Sequence, residues 1–94
     1  MTLTEMRYIV ALARERHFGK AAEACHVSQP TLSVALKKVE GQLGAALFER
    51  SAADVRITAL GERTVPQARR GLEEAARLEE LAGTGGDQLS GPLR

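Results

Sequence analysis

The run Val27-Ser28-Gln29-Pro30-Thr31-Leu32-Ser33 constrains this chain more than any other segment. It places a helix start, side chains able to read bases and an apolar anchor within two turns. Ser28 can cap a helix by accepting a backbone N–H, and Pro30 is tolerated in a first turn, where its missing donor would have no intrahelical partner. Gln29 then sits at the leading end, where an amide can pair bidentately with adenine N6 and N7. Pro30 and Thr31 offer apolar contact to a thymine methyl. Taken alone, the heptapeptide also fits an ordinary capped surface helix.

The flanking segments favour the first reading. Upstream, Phe18, Ala21, Ala22 and Cys25 recur at the spacing of a short helix that packs one face inward. A tight connection at His26 and Val27 then leads into the capped second helix, the layout of a helix-turn-helix whose second helix enters a major groove. Leu32, Leu36, Val39 and Leu43 mark that helix's inward side and turn Pro30, Ser33, Val34, Lys37 and Gly41 outward. Gly44 is expected to end it in a left-handed conformation. Thr2 and Glu5 have capping-box spacing, so a first helix is expected to run to about residue 15.

After Gly44, Leu47-Phe48-Glu49-Arg50 and Val55-Arg56-Ile57-Thr58 alternate as two short strands around a small-residue tip, a two-stranded wing. From Thr58, as cap, a long helix follows, with Gly61, Thr64, Ala68, Gly71, Ala75, Leu78 and Ala82 three and four apart and Val65, Leu72 and Ala76 widening the seam. The seam residues Val65, Ala68, Leu72, Ala75, Leu78 and Ala82 are expected to pair with a second chain. A domain of about 60 residues buries only about 60% of its unfolded surface, so dimerisation adds burial where it is needed. Pro66 predicts a kink near residues 62–66.

The expected architecture is mainly α: a winged helix-turn-helix over residues 1–58, a dimerisation or linker helix over 59–82, and a flexible hinge over 83–94. The glycine-rich Gly83-Thr84-Gly85-Gly86-Asp87 is read as the end of the helix.

Ala21-Ala22, Val27-Ser28-Gln29-Pro30, Leu32-Ser33, Leu36, Val39-Glu40, Leu43-Gly44, Leu47-Phe48, Arg50 and Thr58 with Gly61 together resemble the DNA-binding domain of LysR-type transcriptional regulators, over nearly the whole chain. Within that family, Arg16-His17-Phe18 and the run from Cys25 to Ser33 are most similar to the peroxide-sensing OxyR subfamily. The resemblance implies an N-terminal portion of a longer regulator, which binds double-stranded promoter DNA as a homodimer and, at full length, as a tetramer. It also implies a DNA-backbone role for Arg50. The wing departs from the family pattern. Where relatives carry arginine or lysine near the tip, this chain has Ala52, Ala53 and Asp54, so the tip lacks the cation that would enter a minor groove.

The DNA contacts expected are therefore Gln29, Pro30 and Thr31 on base edges, with Ser33, Lys37, Lys38, Arg50 and Arg56 on the backbone. For Arg50, a local ion pair with Glu49 is the competing reading. The net charge of +1 is low for a nucleic-acid binder, but its placement is favourable. Residues 1–58 carry eight basic side chains against six acidic ones, and the remainder five against six.

A single cysteine precludes an internal disulfide, no secretory signal is visible, and no apolar run could cross a membrane, so a cytoplasmic, nucleoid-associated protein is expected. Cys25 is read as a buried structural thiol, His17 as part of the entry into the second helix. Cys25 with His26 lacks the further ligands of a zinc site, so neither metal nor cofactor is expected. There is no phosphate-cradling glycine loop, nucleophile elbow or metal-binding histidine pair, and the chain is not expected to be an enzyme. The rival reading is a winged-helix module that binds protein, since fold alone does not fix function. Against it, residues 28–37 present mainly polar groups rather than the large apolar and aromatic side chains enriched at protein interfaces.

Overall fold

The computed structural model describes residues 1–51 and 54–89, the last stretch, 83–89, through its helical backbone. In chain order the elements are α1 (Leu3–Glu15), α2 (Phe18–Ala24), α3 (Gln29–Leu43), β1 (Phe48–Arg50), β2 (Val55–Ile57) and α4 (Ala59–Leu89).

Each helix start is written into the local sequence. Thr2 caps α1 by accepting from the Glu5 N–H at 3.1 Å while the Glu5 carboxylate accepts from the Thr2 N–H at 2.9 Å, a complete capping box. His17 caps α2, its Nδ1 accepting from the Lys20 N–H at 3.0 Å. Ser28 caps α3 through the Thr31 N–H at 3.2 Å, with Pro30 in the first turn. Thr58 caps α4, its hydroxyl accepting from the Gly61 N–H at 3.0 Å.

The helix ends follow left-handed residues. Gly44 closes α3 at φ 80°. Between α2 and α3, His26 stands at φ 60°, its N–H donating to the Glu23 carbonyl while that of Val27 reaches the Ala22 carbonyl. This pair of bonds is a Schellman motif with histidine where glycine is usual. It makes the connection tight enough to hold α2 against α3.

One core joins all these elements. Ile9 and Leu12 of α1, Ala21 and Ala22 of α2, Leu32, Leu36 and Val39 of α3, and Leu47, Phe48 and Val55 of the wing are buried together. Burying each of the larger aliphatic side chains contributes roughly 1.5–3 kcal/mol. The wing strands are antiparallel, with Phe48 opposite Ile57, Glu49 opposite Arg56 and Arg50 opposite Val55. Gly61 lets α4 start against the wing, because a Cβ there would overlap the Leu47 carbonyl oxygen.

Three expectations need correction. Leu43, read as a core position, is 45% exposed, because α3 outruns the elements that cover its inward side. Val65 and Ala68, assigned to the dimer seam, belong to this chain's own core, where α4 packs on α1. They have almost no surface left for a partner, so the free part of the seam starts at Leu72. The helix also does not stop before Gly83. It continues to Leu89, since glycines lower helix propensity by only about 1 kcal/mol each without breaking the hydrogen-bond ladder. The remainder of the expected 83–94 hinge, residues 90–94, and the tip residues Ala52 and Ala53 lie outside the described residues.

Candidate nucleic-acid interface

The start of α3 carries the cluster expected to read bases. Gln29, Pro30 and Thr31 are all exposed, on the first turn of a helix whose opposite side is anchored by buried Leu32 and Leu36. The hydroxyls of Ser28 and Thr31 are hydrogen-bonded at 2.8 Å, so Thr31 is tied to the cap that starts the helix. A Cβ built on Gly19 would meet Gln29 Oε1 at 3.6 Å, which places the Gln29 amide beside the entry of α2. Here Arg16, His17, Phe18, Gly19, Gln29 and Ser51 line a concave surface between α2, α3 and the wing.

The expected backbone contacts divide by environment. Lys37 is exposed and makes no ion pair among the described residues. Ser33 is half-buried one turn beyond the reading residues. Lys38 lies 3.7 Å from the Glu5 carboxylate, so its ammonium also serves the join between α3 and α1. Arg56 is exposed opposite Glu49 in the ladder.

Arg50 does not take the local ion pair that competes with a DNA role. Its guanidinium carbon sits 4.2 Å from the centre of the Phe18 ring, and no ion pair with Glu49 forms among the described residues. Stacking on an aromatic face orients the planar cation while leaving its five N–H donors available. Arg50 thus lies against Phe18, one of the residues that line the concave surface with Gln29.

Two contacts that position this surface had no short-range sequence signal. Glu40, on α3, accepts from the backbone N–H groups of Leu47 at 2.7 Å and Phe48 at 3.2 Å, fixing the wing to the recognition helix. Arg16, at the end of α1, reaches Asp54 and the Val55 carbonyl across the wing.

Cys25 is half-buried rather than fully buried, and burial pushes its thiol up from the ordinary value, against the weaker opposing pull of Arg14 and Arg7. A thiol so shifted is less often the reactive thiolate. Among the described residues no group of three or more metal-ligating side chains occurs, and no helix is long and apolar enough to cross a membrane.

A winged helix-turn-helix with an exposed, capped recognition helix is the architecture of a regulatory DNA-binding domain, and residues 3–62 match the bacterial regulatory helix-turn-helix proteins of the lysR family. This chain belongs to that family, which is one of regulators rather than a class of enzymes.

Among its relatives, the DNA-binding transcriptional dual regulator OxyR of Escherichia coli is 47% identical over 93 residues, covering 99% of this chain and 30% of that protein. A full-length OxyR variant from Pseudomonas aeruginosa superposes with a TM-score of 0.89 at 61% identity, over 95% of this chain and 30% of the other. The CbnR DNA-binding domain, solved in complex with DNA, gives a TM-score of 0.85 at 32% identity, over 92% of this chain and 99% of that one. The chain therefore spans about 30% of the length of the OxyR proteins it resembles, and nearly all of an isolated DNA-binding domain of the family.

Proposed function

We propose that this chain is the sequence-reading DNA-binding portion of an OxyR-like regulator of the response to hydrogen peroxide. It acts on partly palindromic promoter DNA as a homodimer, with one α3 in the major groove of each half-site. The observation that carries this reading is the first turn of α3, where Gln29, Pro30 and Thr31 are exposed together on a helix braced by its buried side. The likeness to a family domain solved in complex with DNA supports DNA as the partner.

In this reading Gln29, Pro30 and Thr31 contact base edges, while Ser33, Lys37, Arg50 and Arg56 hold the phosphates and Lys38 contributes less because it also serves Glu5. Dimerisation uses the outer part of α4, from Leu72 and Ala75 to Leu78 and Ala82. Leu81, 71% exposed and three residues beyond Leu78, joins that surface. The complete protein would be a cytoplasmic, nucleoid-associated tetramer without catalytic activity. Peroxide sensing would reside outside this chain, since Cys25 is a partly buried thiol of the scaffold.

Fluorescence-anisotropy titration against the chain's own upstream promoter and a scrambled duplex, at two salt concentrations, tests the proposal. Tighter, salt-dependent binding to the promoter is expected. Gln29→Ala should cost about 1–3 kcal/mol on the promoter and little on the scrambled duplex, whereas Lys37→Ala should weaken both and lower the salt slope by about one. Equal losses on both duplexes for Gln29→Ala would remove the base-reading role. A folded dimer that binds neither duplex would favour a protein-binding module.

A further inference from the structure

Val34 is 69% exposed, although the buried side of α3 is fully served by Leu32, Leu36 and Val39. It is not a core residue that failed to be covered, because it projects from the side of the helix opposite to those positions. Valine is also a poorer helix former than most residues and gains nothing from contact with water. Its neighbours on the helix surface are Pro30 and Thr31 on the preceding turn and Lys37 and Lys38 on the following one. It therefore stands between the residues assigned to base edges and the lysines assigned to phosphates. With Pro30, Thr31, Ala35 and Lys38 it lines a shallow concavity between α3 and the start of α1.

We propose that Val34 is a specificity-determining residue that reads the C5-methyl group of a thymine. This rests on the recognition-helix reading above. The floor of a major groove offers hydrogen-bonding groups at every base pair but one apolar group, the thymine methyl. An isopropyl side chain has no other partner there. Four residues along the helix is about 6 Å, and stacked base pairs are about 3.4 Å apart, so Val34 addresses a base pair within about two steps of the one faced by Pro30. Alone among the exposed side chains of α3 between Pro30 and Lys38, it combines high exposure with purely hydrocarbon chemistry. It thus extends the site read by Gln29, Pro30 and Thr31 further into the half-site.

The test removes the methyl and nothing else. A duplex is selected by the 94-residue chain from a random pool, and each thymine of one half-site is replaced in turn by deoxyuridine. Affinities are then measured by anisotropy for the unaltered chain and for Val34→Ala, a change at an exposed helical position to a better helix former. One replacement should weaken the unaltered chain about three- to fivefold, the size expected for one lost buried methyl. For Val34→Ala that same thymine and deoxyuridine should bind equally, while discrimination at all other positions persists.

If Val34→Ala discriminates thymine from deoxyuridine at every position as the unaltered chain does, the assignment of Val34 is overturned and the base-reading role of α3 stands. If the unaltered chain selects no sequence from the pool, base reading by α3 fails and Val34 with it.

Discussion

Arg16 Nη2 and Asp54 Oδ2 are held 3.7 Å apart, joining the left-handed end of α1 to the tip end of the wing, just before β2. Arg16 Nε also approaches the Val55 carbonyl at 3.4 Å. Asp54 is bound locally as well, its carboxylate accepting from the Val55 N–H at 2.8 Å and its carbonyl from the Ser51 N–H at 2.9 Å. The acidic residue at the wing tip is therefore not a free negative charge. It occupies the guanidinium of Arg16.

Asp54→Ala should consequently strengthen DNA binding on specific and scrambled duplexes alike. Removing the carboxylate frees Arg16 for one further phosphate, which steepens the salt dependence by about 0.9 in logarithmic slope. The fold should lose about 1–3 kcal/mol, because the Val55 N–H also loses its carboxylate acceptor. Anisotropy titrations from low to moderate salt measure the slope, and an unchanged slope would show that Arg16 is not released.

The stacking of Arg50 on Phe18 makes charge and geometry separable. Arg50→Lys keeps the charge but loses the planar group that lies on the ring. It should weaken DNA binding severalfold while leaving the salt slope near its original value. Arg50→Ala should reduce both affinity and slope. A lysine that restores full affinity would mean that the ring does not orient the contact.

Glu40 joins the recognition helix to the wing. Its carboxylate accepts two backbone N–H groups, of Leu47 and Phe48, next to two buried side chains. Glu40→Ala leaves both donors without this partner and should cost about 1–3 kcal/mol of stability. Urea denaturation gives the loss directly. The variant should also bind DNA more weakly than its folded fraction predicts, because the wing is no longer fixed to α3.

These relationships show where local sequence suffices and where it does not. The capping box of Thr2 and Glu5, the Ser28 cap with Pro30 behind it, and the Gly44 terminus are all set by residues within four positions of one another, so they could be read directly. The wing could also be read, although only β2 alternates, while adjacent Leu47 and Phe48 are both buried and Glu49 and Arg50 both exposed. The partners of Arg16 lie 38 and 39 positions away, and neither residue type announces the other.

The long helix misled in a different way. A seam of small and apolar residues from Gly61 to Ala82 has one period throughout, yet its first turns are buried by the wing and α1 and only its outer turns are exposed. Periodicity identifies the face of a helix but not which neighbour covers it. The Gly83-Thr84-Gly85-Gly86 run reads as a stop by composition, but it follows six turns of formed helix, whose propagation tolerates weak residues.

The division of α4 leads to a prediction about assembly. Leu78 and Leu81 are 66% and 71% exposed, so replacing both with glutamine, a good helix former, should leave the fold of the single chain intact. The double variant should nevertheless shift the sedimentation equilibrium towards monomer. Its affinity for a two-half-site duplex should fall, since each half-site alone is held weakly. Val65→Ala, in contrast, should lower thermal stability, because that side chain is buried within its own chain. A dimer unaffected by the Leu78 and Leu81 changes would place the interface elsewhere.

Glu5 gives the fold a pH dependence whose sign follows from its contacts. The Thr2 N–H donating to its carboxylate holds the pKa below the ordinary value of 4.5, burial opposes that shift, and Lys38 reinforces it. The folded state thus favours the ionised form more than the unfolded chain does. The stability that Glu5 contributes is complete above about pH 4.5 and disappears as the pH falls through the lower folded value. Glu5→Gln retains a hydrogen-bond acceptor for the capping box but cannot ionise. Its thermal midpoint should therefore lie below that of the unaltered chain at pH 7, with the gap closing as the pH is lowered towards 3. Melting curves followed by circular dichroism across that range decide the matter. A gap that persists undiminished at pH 3 would mean that Glu5 stabilises the chain through its shape and neutral hydrogen bonds, not through its charge.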